Sequence, residues 1–181
     1  GYDRIGQGPY IVVCNHGSVL DIPANLTLPL PLRVVGKTSL FKVPLMGWYM
    51  QFSRQIPLDA HDLASVEACM DTCRESLEAG ISILFFPEGT RSTDGTLGSF
   101  NRGAFRLAKD LGVPLLPVVI EGTRKILPKG SLWPSPSRVA VTVQVLDPVD
   151  PTPFTTARKF TNQVHEIMRG AMDQLKARQA A

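Results

Sequence analysis

The stretch YIVVCNHGSVLD, residues 10–21, joins a run of apolar residues to a polar turn. Because β-branched residues favour strands, the run at 10–14 predicts a buried β-strand that ends where the turn begins. His16 follows that strand closely, and Asp21 comes five positions later. The stretch therefore predicts a strand whose carboxyl end carries a histidine and a nearby carboxylate.

Four further apolar runs predict strands at residues 32–36, 81–86, 113–120 and 138–146. Of the five strands, the first four look buried on both faces. Apolar residues at steps of three and four predict amphipathic helices at 63–77, 104–111 and 160–175. We expect Asp62 to cap the first helix and Gly80 to end it. This alternation predicts a single α/β domain with a central, mainly parallel sheet flanked by helices.

Composition narrows the classes of function. The chain has 181 residues, 44% of them hydrophobic, with 19 basic and 16 acidic side chains spread along it. No basic stripe interleaved with aromatic residues occurs, which argues against a nucleic-acid partner. Three cysteines offer neither a disulfide framework nor a C-x-x-C pair, which favours a reducing compartment.

No run of about 18 apolar residues predicts a membrane span. The sequence begins at Gly1 without an initiator Met, and we expect it to be an excerpt of a longer protein whose preceding segment could hold a membrane anchor.

The placement of His16 suggests a functional site, because ligands in parallel sheets bind at the carboxyl ends of strands. We expect Ser18 to cap a following helix and Asp21 to lie about one turn inside it. From there its carboxylate could hold one imidazole nitrogen and make the other a better base. The alternative is that Asn15 and His16 only satisfy loop backbone groups and that Asp21 is solvated.

A second stretch, FFPEGTRSTDGTLGSFNRGAF at residues 85–105, combines glycines with Glu88, Arg91 and Arg102. Glycine lets a backbone approach a ligand closely, and arginine presents a planar fork of donors to a phosphate. The stretch lacks the signatures of a Walker A loop and of a dinucleotide fingerprint. It predicts an anion-binding loop. The alternative is a surface loop in which Glu88 and Arg91 pair with each other.

Together these stretches carry a resemblance to a known family. NHGSVLD at 15–21, GKTSLFKVPLMGW at 36–48, FPEGTRS at 86–92 and VPLLPVVI at 113–120 resemble, in order, the four motifs of the glycerolipid acyltransferases. The best match is to the 1-acyl-glycerol-3-phosphate, or lysophosphatidate, acyltransferases. The similarity runs from residue 10 to residue 120.

The resemblance implies transfer of a fatty acyl group from acyl-CoA or acyl carrier protein to a lysophospholipid hydroxyl, with no cofactor beyond that donor. It implies that His16 is the general base and that Asp21 orients it. No acyl-enzyme is expected, which agrees with the lack of a Gly-x-Ser-x-Gly elbow. Arg91 would hold the acceptor phosphate and Lys37 would add charge. The other loop residues implied to bind substrate are Glu88, Gly89 and Thr90.

One departure concerns the acceptor. Ala60 stands where members of the family often carry an arginine, and neighbouring His61 could replace that cation or be merely solvated. The acceptor could be 1-acyl-glycerol-3-phosphate, giving phosphatidate, or another lysolipid. A catalytically idle lipid-binding module and a thioester hydrolase are the remaining alternatives.

The apolar stretch at 40–52 could lie in a membrane interface or pack a helix onto the sheet. We expect the protein at the cytoplasmic face of a membrane, attached peripherally or through a segment outside this chain. Cys14, two residues before His16, is expected to be a buried strand cysteine and not a nucleophile.

Overall fold

The computed structural model describes residues 1–131, 133–136 and 138–180. Its strands are β1 (Ile11–Cys14), β2 (Leu32–Lys37), β3 (Ile56–Leu58), β4 (Ser82–Phe85), β5 (Leu115–Glu121) and β6 (Thr142–Val145). They form one sheet in the order β3-β2-β4-β1-β5-β6. β1 to β5 run parallel, and β6 pairs antiparallel with β5 at one edge. The predicted α/β class and mainly parallel sheet are confirmed.

The helices are α1 (Asp21–Asn25), α2 (Met46–Phe52), α3 (Leu63–Glu78), α4 (Gly103–Leu111), α5 (Thr123–Ile126) and α6 (Ala157–Ala180). α3, α4 and α6 correspond to the three predicted helices. The Asp62 carboxylate caps α3 by accepting from Ala64 N at 3.1 Å. Gly80 follows the helix at φ +78°, a conformation that glycine adopts without strain. Within the described ranges, no helix is both long and apolar enough to cross a membrane.

Alternation along the strands divides the core between the two faces of the sheet. Ile11 and Val13 pack on the face covered by α3, α4 and α6. Val12 and Cys14 pack on the other face, where Ile5 and Ile22 join them. β1 is therefore buried on both sides, and it lies inside the sheet between β4 and β5.

One prediction about the strands was wrong, and one strand was missed. β2 is not buried throughout, because only Val34 and Val35 are fully buried and the rest of the strand is partly or fully exposed. It lies next to β3, which is an edge strand of three residues and was not predicted. Pro57 sits in the middle of β3, and proline is tolerated at a sheet edge because its missing N–H need not donate to a neighbouring strand.

The apolar stretch at 40–52 is partly buried and partly exposed. It contains most of a short 3-10 helix, Thr38–Lys42, and all of α2. Met50 is buried, with its methyl group beside Gly36 of β2. Trp48 and Phe52 are 62% and 88% exposed. One side of α2 therefore packs on the sheet, while the other presents a large apolar surface.

Candidate active site

The carboxyl ends of three adjacent parallel strands meet at one edge of the sheet. The chain leaves β1 through His16, β4 through Glu88 and β5 through Thr123. Because β1 lies between the other two strands, its loop receives contacts from both sides. This edge matches the expected position of a binding site in a parallel sheet.

The predicted contact between His16 and Asp21 is present. His16 Nδ1 lies 2.9 Å from Asp21 Oδ2. A carboxylate can only accept, so Nδ1 is the nitrogen that carries the hydrogen. The Asp21 side chain is fully buried, whereas His16 is 17% exposed. In the described part of the chain Nε2 has no hydrogen-bond partner, which leaves a basic nitrogen open to a ligand.

Asp21 is held by more than the imidazole. Oδ2 also accepts from the backbone N–H groups of Gly17 and Ser18, each at 2.8 Å. Oδ1 accepts from Thr123 Oγ1 at 2.5 Å. The prediction that Ser18 caps the helix and that Asp21 lies a turn inside was wrong, because α1 begins at Asp21 itself. The carboxylate accepts from the backbone of the preceding loop, and it thereby fixes the backbone that follows His16.

Glu88 supports His16 from the β4 side. Its Oε1 accepts from His16 N and its Oε2 accepts from Gly98 N, both at 2.8 Å. No ion pair between Glu88 and Arg91 is present in the described ranges, and both carboxylate oxygens accept from backbone donors. Burial raises the pKa of Glu88 above its ordinary value, more than these two hydrogen bonds lower it. Phe86 stacks on the imidazole with ring centroids 4.1 Å apart.

Asn15 joins the end of β1 to β5. Its amide donates to Ile120 O at 2.9 Å and accepts from Ile120 N at 2.8 Å. The side chain therefore continues the pairing of the two strands beyond Cys14, the last residue of β1. This buried clamp holds the chain in place immediately before His16.

Two neighbouring depressions open at this edge. The first, called here the histidine recess, is lined by residues that include His16, Glu88, Ser92, Thr96, Thr123 and Arg124. The second, called here the arginine cleft, is lined by residues that include Glu88, Thr90, Arg91, Ser92, Thr96 and Lys129. The two share the wall formed by Glu88, Ser92 and Thr96. The imidazole and the arginine therefore lie in adjacent depressions.

The predicted phosphate-binding residues are only partly brought together. Thr90 and Arg91 line the arginine cleft, and Gly89 precedes them at φ +69°. Lys37 is exposed at the end of β2, the neighbour of β4. No hydrogen bond or ion pair joins Lys37 to the loop at 86–92, as far as the structure describes the chain.

Comparisons with known proteins identify the family of the chain. A family model described as Acyltransferase matches residues 1–121. The chain belongs to the glycerolipid acyltransferase family. It is 45% identical over 123 residues to the chloroplastic 1-acyl-sn-glycerol-3-phosphate acyltransferase LPAT1 of Arabidopsis thaliana, a match that covers 68% of the chain and 35% of that protein. It is 32% identical over 178 residues to the 1-acyl-sn-glycerol-3-phosphate acyltransferase of Saccharomyces cerevisiae, covering 93% of the chain and 57% of the yeast protein.

A solved member of the glycerolipid acyltransferases has the same fold. The 1-acyl-sn-glycerophosphate (LPA) acyltransferase PlsC of Thermotoga maritima superposes with a TM-score of 0.85 at 34% identity, over 98% of the chain and 70% of that structure. The chain thus spans well under two thirds of the plant and yeast relatives and a larger share of the bacterial one.

Other residues of this acyltransferase chain are placed as follows. Cys14 is completely buried, and burial raises the pKa of its thiol well above the ordinary value. Ala60 and His61 lie in the exposed turn after β3. There His61 N donates to Asp59 Oδ1 at 3.1 Å, and no hydrogen bond of the His61 ring is present in the described part of the chain.

Sequence reasoning missed two side chains at the site, Thr123 and Lys129. Thr123 donates to Asp21 across 102 positions of sequence. Lys129 Nζ donates to Thr90 Oγ1 at 3.0 Å across 39 positions. One available signal was their position after the predicted strand at 113–120, because residues that follow parallel strands gather at one edge.

Proposed function

We propose that this chain transfers a fatty acyl group from acyl-CoA or acyl carrier protein to the free hydroxyl of 1-acyl-glycerol-3-phosphate, giving phosphatidate. The observation that carries the proposal is the buried Asp21 carboxylate bonded to His16 Nδ1 at 2.9 Å, next to an arginine-bearing loop. The names of the relatives in plants, yeast and Thermotoga support the same acceptor.

In the proposed mechanism His16 Nε2 takes the proton of the acceptor hydroxyl as its oxygen attacks the thioester carbonyl. Asp21 holds the ring and stabilises the imidazolium that forms. The tetrahedral intermediate then collapses, the carbon–sulfur bond breaks, and the imidazolium returns its proton to the leaving thiolate. No acyl-enzyme is needed, and the buried Cys14 thiol is poorly suited to form one because a thiolate is the nucleophilic form.

The acceptor phosphate is proposed to bind in the arginine cleft. Arg91 is half-buried there, and in the described ranges its guanidinium makes no ion pair, so its charge is available to a ligand. Gly89, Thr90 and Glu88 shape the loop. Lys37 would contribute charge from the neighbouring strand at longer range. A phosphate held in this cleft would place the glycerol hydroxyl towards the histidine recess.

A lysolipid acceptor implies contact with a membrane surface, and the exposed side of α2 supports it. Leu45, Trp48 and Phe52 are 73%, 62% and 88% exposed, and the exposed Lys42 precedes them in the sequence. Aromatic and aliphatic side chains beside a cation suit the headgroup region of an anionic bilayer. We propose that this surface docks on the membrane face where the acyl donor is found, the cytoplasmic face if the donor is cytosolic.

Vesicle sedimentation tests the docking. Replacing both Trp48 and Phe52 by Ser should weaken binding to anionic vesicles, whereas Trp133→Ser, which removes another highly exposed tryptophan, should not. If wild type, the double variant and Trp133→Ser bind vesicles equally, α2 is not part of the docking surface.

The acyl transfer is tested with purified protein, labelled acyl-CoA or acyl carrier protein, and a panel of lysolipids. Labelled phosphatidate formed only with lysophosphatidate supports the proposal, whereas a product from another lysolipid would change the acceptor. Free fatty acid released without an acceptor would indicate a hydrolase. No product with any combination would indicate an idle lipid-binding module.

The base assignment predicts that His16→Ala keeps the fold and lowers acyl transfer by a factor on the order of 100 or more. Asp21 keeps its hydrogen bonds from Gly17 N, Ser18 N and Thr123 Oγ1 in this variant, so the melting temperature should change little. A folded variant that keeps wild-type activity would rule out His16 as the base.

A further inference from the structure

The arginine cleft contains a second cation that the motifs do not predict. Lys129 follows α5 and reaches the cleft from the β5 side of the sheet. Its Nζ donates to Thr90 Oγ1 at 3.0 Å and to Arg91 O at 3.3 Å. An ammonium group has three hydrogens, so one donor remains for a ligand. The Lys129 ammonium therefore lies beside Thr90 and the Arg91 backbone, and both Lys129 and Arg91 line the cleft.

The carboxylates of the cleft bind neighbouring donors and not these cations. Glu88 directs both oxygens at backbone N–H groups. Asp94 accepts from Thr96 N and Thr96 Oγ1, and these bonds help to hold the pKa of Asp94 at about 2. Across the described ranges, no ion pair joins Arg91 or Lys129 to a carboxylate. Arg91 and Lys129 thus keep donors that no carboxylate occupies, and these donors can bind an anion.

The position of Lys129 complements that of Ala60. Ala60 follows β3, which is two strands from β4 on one side, and it brings no charge. Lys129 belongs to the segment after β5, two strands from β4 on the other side. The loop that follows β4 lies between the two. A cation missing from the β3 side could therefore be replaced from the β5 side without altering the loop.

We propose that Lys129 binds the acceptor phosphate together with Arg91, and that it makes the cleft selective for a phosphomonoester. This inference rests on the proposed function. A phosphomonoester has a second pKa near 6 and carries close to two negative charges at neutral pH. Two cations match that dianion, whereas a phosphodiester headgroup brings only one negative charge at its phosphate. Charge-assisted hydrogen bonds from both side chains hold the phosphate.

Calorimetry with a short-chain, monomeric lysophosphatidate measures this binding without turnover. Lys129→Gln should weaken binding about tenfold at pH 7.5, the worth of one charge-assisted hydrogen bond. At pH 5.5 the phosphate is mainly a monoanion, and the difference from wild type should shrink to about threefold or less. Lys129→Arg should restore most of the affinity. The matched control is Lys159→Gln, which removes an exposed lysine of α6 outside the cleft.

Acyl transfer measured on the same proteins separates this inference from the proposed function. If wild type and Lys129→Gln bind lysophosphatidate equally, or if the loss is the same at both pH values, Lys129 only supports the loop and the inference is wrong. If wild type does not bind at all, both ideas fail. If binding depends on Lys129 and on pH as expected while no acyl transfer occurs, the phosphate site stands and the proposed reaction fails.

Discussion

Replacing Asp21 by Asn isolates the charge of the carboxylate from its hydrogen bonds. Two backbone donors, Gly17 N and Ser18 N, point at Oδ2 and would repel an amide NH2 placed there. The amide oxygen is therefore expected at that position, where it still accepts from His16 Nδ1. The NH2 would face Thr123 Oγ1, and a hydroxyl can accept as well as donate. The imidazole should thus keep its orientation and its tautomer.

The loss of rate then measures how much the charge stabilises the imidazolium. Opposite charges about 4 Å apart at an effective dielectric constant near 20 attract by about 4 kcal/mol. In mutational measurements a hydrogen bond to a charged group contributes a net value of about 1.5 to 3 kcal/mol. We therefore expect Asp21→Asn to lose about 2 to 4 kcal/mol of transition-state stabilisation. This range corresponds to roughly 30- to 900-fold in kcat/KM.

Steady-state acyl transfer to lysophosphatidate, followed together with the melting temperature, checks the prediction. Asp21→Ala is the contrasting variant, because it leaves Thr123 and two backbone N–H groups without an acceptor. Each such buried group costs about 1 to 3 kcal/mol, so this variant should also melt earlier. An Asp21→Asn protein with the melting temperature of wild type and a rate within threefold of it would refute the electrostatic role.

Three further outcomes are expected. Arg91→Ala should raise the KM for lysophosphatidate, a loss of about 2 to 4 kcal/mol in transition-state binding, and leave donor saturation unchanged. Ala60→Arg should lower the KM for the same acceptor. An Arg91→Ala KM equal to that of wild type would contradict the phosphate role. Replacing every cysteine by Ala should preserve acyl transfer at a total cost of about 1 to 3 kcal/mol in stability, and a trapped acyl-cysteine would contradict this. The cysteines concerned are Cys14, Cys69 and Cys73, all buried. Glu88→Gln should lower the melting temperature and activity together, because its amide NH2 would face a backbone N–H. Burial raises the pKa of Glu88, so its contribution to the free energy of unfolding is fully present below the ordinary value of 4.5 and is lost as pH rises through the raised value. Urea unfolding should show this pH-dependent loss of stability in wild type and not in Glu88→Gln.

The sheet could be predicted because most of its strands have a local sequence signal. β1, β4 and β5 are apolar, β-branched runs bounded by turn residues, and burial on both faces makes them nearly continuous in hydrophobicity. β3 escaped prediction because three residues with a central proline give no periodic signal. Its existence depends on β2, which supplies the backbone partners for Ile56 to Leu58.

The candidate site was predictable only where its contacts are local. Asp21 lies five residues from His16, so a single turn brings them together. The contact of Thr123 with Asp21 and that of Glu88 with His16 join segments 102 and 72 positions apart. Such contacts depend on the order of the strands, which no local pattern specifies. Knowing that strands β4 and β5 flank β1 would have placed both residues.

The influence of neighbours is clearest where one tetrapeptide occurs twice. Glu-Gly-Thr-Arg follows β4 at 88–91 and ends β5 at 121–124, and both glycines have positive φ, +69° and +102°. In the first copy Glu88 holds the histidine backbone while the threonine and arginine face the open cleft. In the second copy the threonine is buried against Asp21, and Arg124 donates to Thr93 O at 3.2 Å. Identical residues thus line an open cleft in one place and contact the buried Asp21 carboxylate in the other, because the strand each copy follows decides what lies beside it.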